Sequence, residues 1–527
     1  MPANKFVNLQ PIFSDALEHH RLGRLQDAEQ RYREILTVEP QHTDALCGLS
    51  MLAHQTGRND VAIELASTAI RLKPEFAGAH SNLGAALNSL GRFDEAVAAF
   101  NTAVRLKPDY VDAHYNLGTA LTNLRRFDEA IASFNAAVLL KPDYVDAYSN
   151  LGVVFGEMGR FEEAVAAYNT AIRLRPDHAV THSNLGVALT ELGRFDEAIA
   201  AVRTAIRLKP DLAAAHYAES VAHLLLGELS TGWPKYEWRW RGGDKALKAP
   251  RFTRPRWQGE EISGRMILLH AEQGHGDTIQ FARYATMVAA RGGRVILAAH
   301  PSLLRLLSGL AGVERLIAFG DPLPTFDYHC PLMSLPGVFG TTVDTIPANI
   351  PYLSAEGELV GKWRSRIGTA DFKIGIAWQG TPHVTIDRGR SIPLACFDHL
   401  AKIPGVRLVS LQKGHGLEQL NLLPAGMRVE TLGEDFDAGP DAFIDTAAAM
   451  MNLDLIVTAD TSVGALAGAL GRPVWLALKT VPHWVHMMNR LDSPWYPSAR
   501  LFRQTERGGW DDVFRRMAAE LTGRLEE

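Results

Sequence analysis

The sequence predicts two structural halves: an α-solenoid of repeated helical hairpins, followed by an α/β half built on parallel sheets. The first observation is a proline that recurs every 34 residues, at positions 40, 74, 108, 142, 176 and 210. The second is a glycine on the same period, at 23, 57, 91, 159, 193 and 227, with Arg125 in the one gap. The third is that from residue 266 onward the repetition is gone, and short apolar runs alternate with helical segments.

Each repeat is predicted to contain helix A, a tight turn, helix B and a proline stop. In the repeat that ends at Pro108, Gly91 suits the left-handed position that ends helix A. The segment Phe93–Ala96 opens helix B, and its aromatic-acid-Glu-Ala pattern returns at 127, 161 and 195. A period of 34 with this pattern is the signature of tetratricopeptide repeats. We expect six full repeats and a partial seventh, which together form a superhelix over residues 1–228.

A ladder of asparagines follows the same period in helix A, the helix that lines the concave wall of such a superhelix. Its members are Asn82, Asn116, Asn150 and Asn184. A carboxamide can pair with both backbone groups of an extended peptide, which suggests that the groove holds a polypeptide. The alternative is that each asparagine bonds a neighbouring helix and only fixes the packing of the repeats.

The four-residue sequence Ser-Asn-Leu-Gly occurs in three repeats, at 81–84, 149–152 and 183–186. Over roughly residues 9–228 these repeats resemble those of the protein O-GlcNAc transferases, in which an asparagine ladder grips the polypeptide acceptor. The resemblance implies that the ladder binds an acceptor polypeptide or a partner protein. Repeats of this kind by themselves indicate only a binding module.

Composition narrows the class of protein. With 527 residues the chain is too long for a single hydrophobic core, so we expect several domains. The net charge is −5 and basic residues are spread along the chain, so we expect no nucleic-acid partner. The three cysteines are far apart and favour a reducing compartment. No run of 18 apolar residues and no apolar leader near the N-terminus occurs, so we expect a cytoplasmic protein without a membrane span.

A junction at 229–262 separates the two halves. Its segment 232–240 contains three tryptophans and a tyrosine, and prolines follow at 250 and 255. We interpret it as a rigid joint that docks the solenoid on the next domain. The alternative is a platform on which sugars stack.

The sequence of the second half predicts two doubly wound domains, at 263–360 and at 361–527. The second of these domains ends in a C-terminal helix. The predicted strands lie at 266–270, 295–299, 374–378, 407–411, 453–459 and 473–476, with helices between them. Ligands of such sheets bind outside the carboxyl ends of the strands.

Three loops at those ends carry suitable chemistry. The glycines of Gly274–Asp277 let the backbone approach a ligand, and Gln379–Ser391 contains Asp-Arg-Gly-Arg-Ser at 387–391. The third loop, Asp460–Gly464, opens a helix whose free N–H groups and dipole suit a diphosphate. Lys413 adds a further positive group. The alternatives are an ordinary N-cap at Asp460 and surface arginines.

Other site classes are disfavoured. No GxGxxG or Walker lysine motif occurs, which argues against dinucleotide and nucleoside-triphosphate sites. His483 and His486 are spaced like a helical pair, but the sequence places no third ligand beside them. We therefore expect no metal and no cofactor.

Over about 233–520 the second half resembles the family 9 glycosyltransferases, which include bacterial heptosyltransferases of the two-Rossmann GT-B fold. The stretches that match lie at 236–240, 270–284, 390–394, 410–414, 460–475 and 492–496. Closer still are bacterial proteins that join tetratricopeptide repeats to such a domain, and these include flagellin glycosyltransferases. The resemblance implies a nucleotide-sugar donor in the cleft between the two domains, with no metal.

The resemblance also implies residue roles. Asp277 takes the place of the general base, which accepts the proton of the acceptor hydroxyl; its alternative is a helix N-cap. Arg388 and Arg390 would neutralise the leaving diphosphate. The other positions assigned to the donor are Gly276, Thr278, Ser391, Lys413, Glu418, Asp460, Thr461, Ser462 and Gly464. Two departures are that Ala465 stands where the relatives usually have histidine, and His275 where they usually have an aliphatic residue.

Three functional hypotheses follow. The first is a glycosyltransferase that moves a sugar to Ser or Thr hydroxyls of a polypeptide selected by the repeats, with flagellin as one such polypeptide. The second is a non-catalytic adaptor whose transferase domain is degenerate, which Ala465 favours. The third is an envelope enzyme that acts on a lipopolysaccharide-type saccharide.

Overall fold

The N-terminal helices form one pair for each 34-residue repeat. The computed structural model describes residues 8–242, 252–382 and 387–527. The helices are α1 (Gln10–Arg21), α2 (Leu25–Val38), α3 (Thr43–Gln55), α4 (Asn59–Leu72), α5 (Ala77–Ser89), α6 (Phe93–Leu106), α7 (Val111–Asn123), α8 (Phe127–Leu140), α9 (Val145–Glu157), α10 (Phe161–Leu174), α11 (Ala179–Glu191), α12 (Phe195–Leu208), α13 (Ala213–Leu225) and α14 (Leu229–Tyr236). Odd-numbered helices are helix A and even-numbered ones helix B, and α14 completes the seventh pair within the segment predicted as a junction.

The turns between helices A and B require a left-handed residue. The six periodic glycines have φ between 71° and 80°, as predicted, and Arg125 adopts φ 59° in the one repeat that lacks glycine. An L-residue in this conformation is strained, which explains why glycine recurs there.

A second glycine lets helices A and B approach closely. A methyl group added at Gly84 would lie 2.8 Å from the ring of Phe100, and one at Gly118 would lie 2.8 Å from the ring of Phe134. Both rings are fully buried in the core of the solenoid. Glycine at these two positions therefore allows helix A to pack directly on the aromatic ring of helix B.

The described chain divides into two compact units, residues 1–188 and 189–527. The second unit contains α12, α13 and α14 together with the whole α/β half. Within it, one apolar core extends from Leu224 and Trp233 of the last repeat to the helices between the strands, such as Phe281 and Leu466. The end of the solenoid and the α/β half therefore share one core.

The first sheet has four parallel strands in the order β3-β2-β1-β4. The strands are β1 (Met266–His270), β2 (Arg294–Ala299), β3 (Val313–Ala318) and β4 (Tyr328–Pro331). The accompanying helices are α15 (His275–Ala282), α16 (Tyr284–Ala290), α17 (Leu304–Leu307), α18 (Leu335–Val338) and α19 (Gly357–Ile367).

The second sheet has six parallel strands in the order β10-β9-β8-β5-β6-β7. The strands are β5 (Phe372–Ala377), β6 (Val406–Ser410), β7 (Val429–Glu430), β8 (Leu455–Ala459), β9 (Val474–Leu478) and β10 (Ala499–Arg503). The helices are α20 (Asp398–Ala401), α21 (Ile444–Met450), α22 (Ser462–Ala469) and α23 (Trp510–Glu526). Ile456 and Val457 belong to different apolar clusters, so both faces of this sheet are covered.

The strand order reverses between β1 and β4 in the first sheet and between β5 and β8 in the second. Doubly wound sheets bind their ligands at this switch point. The loops after β1, β5 and β8 are the three loops that the sequence singled out. The predicted parallel α/β half is confirmed.

The segment between β1 and β2 is not one continuous helix. Helix α15 begins at His275, the helix is interrupted at Arg283, and α16 follows. The Arg283 guanidinium is buried and donates to the carbonyl oxygens of Trp495 at 2.6 Å and Pro347 at 3.0 Å. This inward-turned arginine replaces the surface residue that helical periodicity would suggest.

Filling the space at Gly118 is expected to destabilise the solenoid. Gly118→Ala brings a methyl group against Phe134 and should lower the free energy of unfolding by about 1–3 kcal/mol. Gly156→Ala is the control, because no described atom outside the neighbouring backbone of its own helix lies within 4 Å of the added methyl group, and the helix propensity of alanine should raise stability by about 0.5–1 kcal/mol. Urea unfolding followed by circular dichroism measures both; equal effects would contradict the assigned contact.

Candidate functional site

Two of the predicted loops meet at the carboxyl ends of β1 and β8. A methyl group added at Gly276 would lie 3.3 Å from Cα of Ser462, so the backbone at the start of α15 lies directly against the start of α22. We call the residues Gly274–Asp277, Arg390 and Asp460–Ser462 the strand-end site. A side chain at Gly276 would separate the two helices, which explains the glycine.

The first turns of both helices present N–H groups and the positive end of a helix dipole. Thr461 is the N-cap of α22, and its extended backbone conformation directs the first N–H groups of the helix outward from the strand end. Gly464 has a different position: its N–H donates to the Thr461 carbonyl at 3.0 Å, and a methyl group there would lie 2.6 Å from Leu476. Gly464 thus serves the packing of α22 on the sheet, leaving Thr461 and Ser462 nearest the site.

Arg390 lies beside this helix start. A methyl group on Gly380 would be 2.5 Å from Nη2 of Arg390 and 3.6 Å from Cγ2 of Thr461, so the guanidinium covers Gly380 next to Thr461. Asp387 holds the loop together: its Oδ1 lies 3.5 Å from Nε of Arg390 and accepts from the Ser391 hydroxyl at 2.6 Å. Ser391 therefore acts within the loop.

Arg388 is half-buried on the same loop. Residues 383–386 of the predicted loop Gln379–Ser391, residues 243–251 of the predicted junction and residues 1–7 lie outside the described residues.

Asp277 lies in the first turn of α15. Its Oδ2 accepts from the N–H of Gly274 at 3.2 Å, while the Thr278 hydroxyl is buried and donates to the Gly274 carbonyl at 3.0 Å. Thr278 therefore closes the turn and faces away from the site. Burial raises the pKa of Asp277, and the Asp460 carboxylate adds to this, against the opposing effects of His483 and the Gly274 N–H.

Asp460 has the opposite electrostatics. Burial would raise its pKa, but the His486 imidazole, 2.9 Å from Oδ1, together with His483 and Arg390, holds the pKa well below its ordinary value. One carboxyl group of the site is thus driven toward the neutral form and the other toward the ionised form. Such a separation is typical of paired acid and base groups.

The loop after β6 carries the remaining predicted residues. The Lys413 ammonium donates to the carbonyl of Phe436 at 2.5 Å, and Glu418 is exposed on a short 3₁₀ segment. Sequence reasoning missed Gln412, which is buried and accepts from the N–H groups of Trp378 and Gln379 at 2.9 and 3.0 Å. Gln412 fixes the loops after β5 and β6 to each other. The signal available in the sequence was a glutamine that directly follows a predicted strand.

A buried ion pair supports the loop after β1. Arg239 of the junction donates to Glu272 through Nε at 3.0 Å and Nη2 at 2.8 Å, and both side chains are at most 3% exposed. Trp238 is covered by the stacked ring of His216 at 3.8 Å and by Arg241 at 4.5 Å. These contacts give the junction a role in packing.

The asparagine ladder lies in the first compact unit. Asn82 donates to the carbonyl of Cys47 at 2.8 Å, and Asn150 donates to the hydroxyl of Tyr115 at 3.1 Å. Both bonds reach the preceding helix A, so these two asparagines contribute to the packing of the repeats. A bound peptide can use the remaining hydrogen-bonding positions of each carboxamide.

Ala465 and His275, the two residues that depart from the pattern of the resembling family, lie in different surroundings. Ala465 is partly buried against the shared core. The His275 imidazole is 2.9 Å from the Ser302 hydroxyl and stacks on His300 at 4.7 Å, away from Asp460. The imidazole beside Asp460 comes instead from His486.

Within the described ranges, no three His, Cys, Asp or Glu side chains are grouped so as to hold a metal ion. Among helices of the described residues, none combines the length and the apolar character needed to cross a membrane.

The two carboxyl groups are expected to affect stability with opposite signs. Asp460→Asn should destabilise the protein at pH 7, because a lowered pKa stabilises the fold above the unfolded pKa of about 3.9, a contribution lost as the pH falls toward the folded pKa. Asp277→Asn should stabilise it at pH 7, because a raised pKa costs stability once the pH exceeds the folded pKa.

Thermal unfolding of both variants at pH 7, 5 and 4 measures these effects. The difference for Asp277→Asn should shrink as the pH falls, whereas the difference for Asp460→Asn should remain nearly constant, because its folded pKa lies below this pH range. Variants that shift the melting temperature in the same direction at pH 7 would contradict the assignment.

Comparison with known proteins locates the repeats. The tetratricopeptide repeat family matches at 15–79, 55–111, 81–150, 115–179, 149–213 and 183–230. Protein FlbA of Caulobacter vibrioides is 27% identical over 336 residues, which are 58% of this chain and 54% of FlbA, so the chain spans about half of that relative's length.

Among solved structures, similarity is found to "YrrB: a TPR protein with an unusual peptide-binding site" (TM-score 0.32, 22% identity, 36% of this chain and 97% of that one). A thermophilic TPR protein of Thermus thermophilus, TTC0263, gives a TM-score of 0.31 at 25% identity, over 34% of this chain and 99% of that one. Residues 15–230 of the chain are tetratricopeptide repeats.

Proposed function

We propose that this protein is a glycosyltransferase of the GT-B type that moves a sugar from a nucleotide-sugar donor to a Ser or Thr hydroxyl of a polypeptide held by the repeats. The observation that carries the proposal is the meeting of α15 and α22 at Gly276 and Ser462, with Arg390 beside them. Two helix starts and a guanidinium converge there, at the switch points of two doubly wound sheets. Such an arrangement suits a diphosphate bound between the sheets.

The diphosphate is the leaving group of the proposed reaction. The bond from the anomeric carbon to the phosphate oxygen breaks, and its electron pair leaves on the nucleoside diphosphate. Arg390 and Arg388, with the N–H groups at the start of α22, stabilise that developing charge. The acceptor oxygen forms the new bond to the anomeric carbon as Asp277 takes its proton.

The proposed base has a suitable environment. The raised pKa of Asp277 makes its carboxylate a stronger proton acceptor than an exposed aspartate. The Gly274 N–H fixes Oδ2 at 3.2 Å, so Oδ1 is the oxygen that we assign to the acceptor hydroxyl.

The last repeat reaches this region within the second compact unit. Tyr217 of α13, a helix A, packs on Tyr236 with ring centroids 5.7 Å apart, and Gln273 of the loop after β1 donates to the Tyr236 hydroxyl at 3.5 Å. Helix α13 therefore lies near the loop that carries Asp277.

A donor is expected to stabilise the protein through Arg390. In thermal unfolding against a panel of nucleotides and nucleotide sugars, one donor at about 100 times its Kd should add about 2.7 kcal/mol of stability. Arg388→Ala/Arg390→Ala should abolish the shift, because the variant removes the charge assigned to the diphosphate.

Arg294→Ala is the control for the donor experiment. It removes one positive charge from an exposed arginine whose partner is Glu314 at the edge of the first sheet, and it should leave the shift intact. If no donor stabilises the wild type, the enzyme assignment fails and a non-catalytic adaptor becomes the better account.

Acceptor binding is expected to depend on the ladder. Asn116→Ala/Asn150→Ala should weaken binding of an acceptor polypeptide by about 10-fold, because each lost carboxamide bond to the peptide is worth about 0.5–1.5 kcal/mol. Asn101→Ala/Asn135→Ala removes two exposed carboxamides of helix B and should leave affinity unchanged. Calorimetric titration measures both, with melting temperatures recorded in parallel. Equal affinities of the two variants would assign the ladder to packing alone.

A further inference from the structure

A row of four aromatic rings lies along the carboxyl edge of the first sheet. Phe319 directly follows β3, His300 directly follows β2, and His275 belongs to the loop after β1. The ring centroids are 5.0 Å apart between Phe319 and His300, and 4.7 Å apart between His300 and His275. Phe443, which precedes α21 in the half that carries the second sheet, is the fourth member and lies 5.9 Å from His275. We call these four residues the aromatic row.

The aromatic row begins at the strand-end site, because His275 is directly followed by Gly276 and Asp277. The strand order β3-β2-β1 sets its direction toward the outer edge of the first sheet. Adjacent strands lie about 4.8 Å apart, so three strand ends span about 10 Å. Phe319, at the outer end, has 40% of its surface exposed. The row is therefore open to solvent at the end that lies farthest from the proposed base.

The two imidazoles add a hydrogen-bonding group to these rings. Nε2 of His300 lies 2.8 Å from the carbonyl oxygen of Gln273, and because a carbonyl only accepts, Nε2 carries the hydrogen. Nδ1 is then the acceptor that the neutral, half-buried ring offers to a ligand. Nε2 of His275 lies 2.9 Å from the Ser302 hydroxyl, which holds the second ring in its stacked position. The row thus combines flat apolar faces with a fixed acceptor.

Phe443 joins the row in a strained backbone conformation. Its φ is 66°, in the left-handed region that bulky L-residues rarely adopt. The N–H of Ala442 donates to the carbonyl of Ser302 at 2.8 Å, which ties this loop to the turn after β2. Strained residues cluster at ligand-binding sites, where the surrounding structure over-determines them. The strain is therefore a second observation, independent of the ring contacts, that points to a ligand.

Three other accounts of the aromatic row fit less well. Core packing explains the half-buried His275 but not Phe319, a large apolar ring that stays exposed at the edge of the sheet. A single sugar would cover one ring, whereas the row follows three successive strands. A saccharide chain of that length carries several hydroxyl groups on every ring, which need more partners than one fixed acceptor. An extended polypeptide rises about 3.3 Å per residue, so three residues span the row, and it offers both N–H groups and apolar side chains.

We propose that the aromatic row binds the acceptor polypeptide beside the residue that is glycosylated, and that it holds an extended segment whose aromatic side chain packs against Phe319 and His300. The inference rests on the proposed glycosyl transfer and adds a sequence preference to it: the repeats bind the polypeptide, and the row selects which hydroxyl lies beside Asp277. Because the row spans about 10 Å, the selected aromatic residue lies about three residues from the reacting Ser or Thr.

The first test needs no donor. Two dye-labelled peptides of equal length share a central Thr and differ only at the positions three residues on either side of it, which are Tyr in one peptide and Ala in the other. Fluorescence anisotropy should show that the wild type binds the Tyr peptide about 5-fold more tightly, because aromatic side chains gain affinity from ring contacts. Phe319→Ala should bind both peptides equally, and Phe319→Tyr, which keeps the ring, should keep the preference.

Leu525→Ala is the matched control for Phe319→Ala. Leu525 on α23 is 42% exposed, close to the value for Phe319, and it lies outside the row, so the variant should keep the preference for the Tyr peptide. A wild type that does not prefer the Tyr peptide, or a Phe319→Ala variant that retains the preference, would overturn the proposal. Competition by maltotetraose that Phe319→Ala abolishes would assign the row to a saccharide and would also overturn it.

The second test uses the donor that stabilises the wild type. Phe319→Ala should raise KM for the Tyr peptide about 5-fold and leave kcat unchanged, because the ring contacts residues beside the reacting hydroxyl and not the hydroxyl itself. A lowered kcat at unchanged KM would contradict this role. A donor-induced thermal shift without a peptide preference would count against the row alone. A peptide preference without any donor-induced shift would count against glycosyl transfer alone, so the two failures are distinguishable.

Discussion

The aromatic cluster around Trp484 is the constraint on which the second compact unit depends. Trp484 packs on Trp233 of the last repeat, on Phe281 of α15 at 6.0 Å and on Trp495 at 6.5 Å. The ring thereby joins the end of the solenoid, the helix after β1 and the strand ends of the second sheet. Because α15 carries Asp277 and the 3₁₀ turn Trp484–His486 carries His486, one buried indole sets the distance between the two ends of the strand-end site. A large-to-small change at Trp484 would remove packing from three elements at once.

A buried ion pair fixes the orientation in which the junction packs on the loop after β1. Arg239 and Glu272 are both withdrawn from water, and such a pair contributes little net stability beside an apolar pair of the same shape. Its geometry is nevertheless specific, since two guanidinium nitrogens meet one carboxylate and a third contact reaches Ser334 at 2.8 Å. Removal of one partner would leave a charge buried without compensation. The pair therefore fixes which face of the junction meets the loop after β1, and through Gly274 it fixes the approach of Asp277.

The sequence predicted the fold better than the site, because the repeat period is visible in the sequence whereas the directions of the side chains are not. Turn glycines and proline stops follow from backbone geometry, and the switch-point loops follow from strand order, so both could be read from local patterns. Thr278 and Gly464 fall in the predicted loops, yet one hydroxyl faces its own helix turn and one amide is held by Thr461. Arg283 and Gln412 were missed because their partners lie far away in sequence, such as Trp495 and Trp378. Long-range partners are set by tertiary packing, which a single sequence does not display.

The surroundings of Asp460 show how an imidazole reaches the end of a strand from another part of the fold. A residue at 465 projects from α22 one turn after Thr461, whereas His486 approaches Asp460 from the end of β9. The alanine at 465 packs against the shared core, and the imidazole comes from a turn that the same core anchors. His486, His483 and Arg390 lower the pKa of Asp460, while burial raises the pKa of Asp277 on the facing helix. Since His483 acts on both carboxyl groups, a single change at that exposed position would disturb both while leaving the core intact.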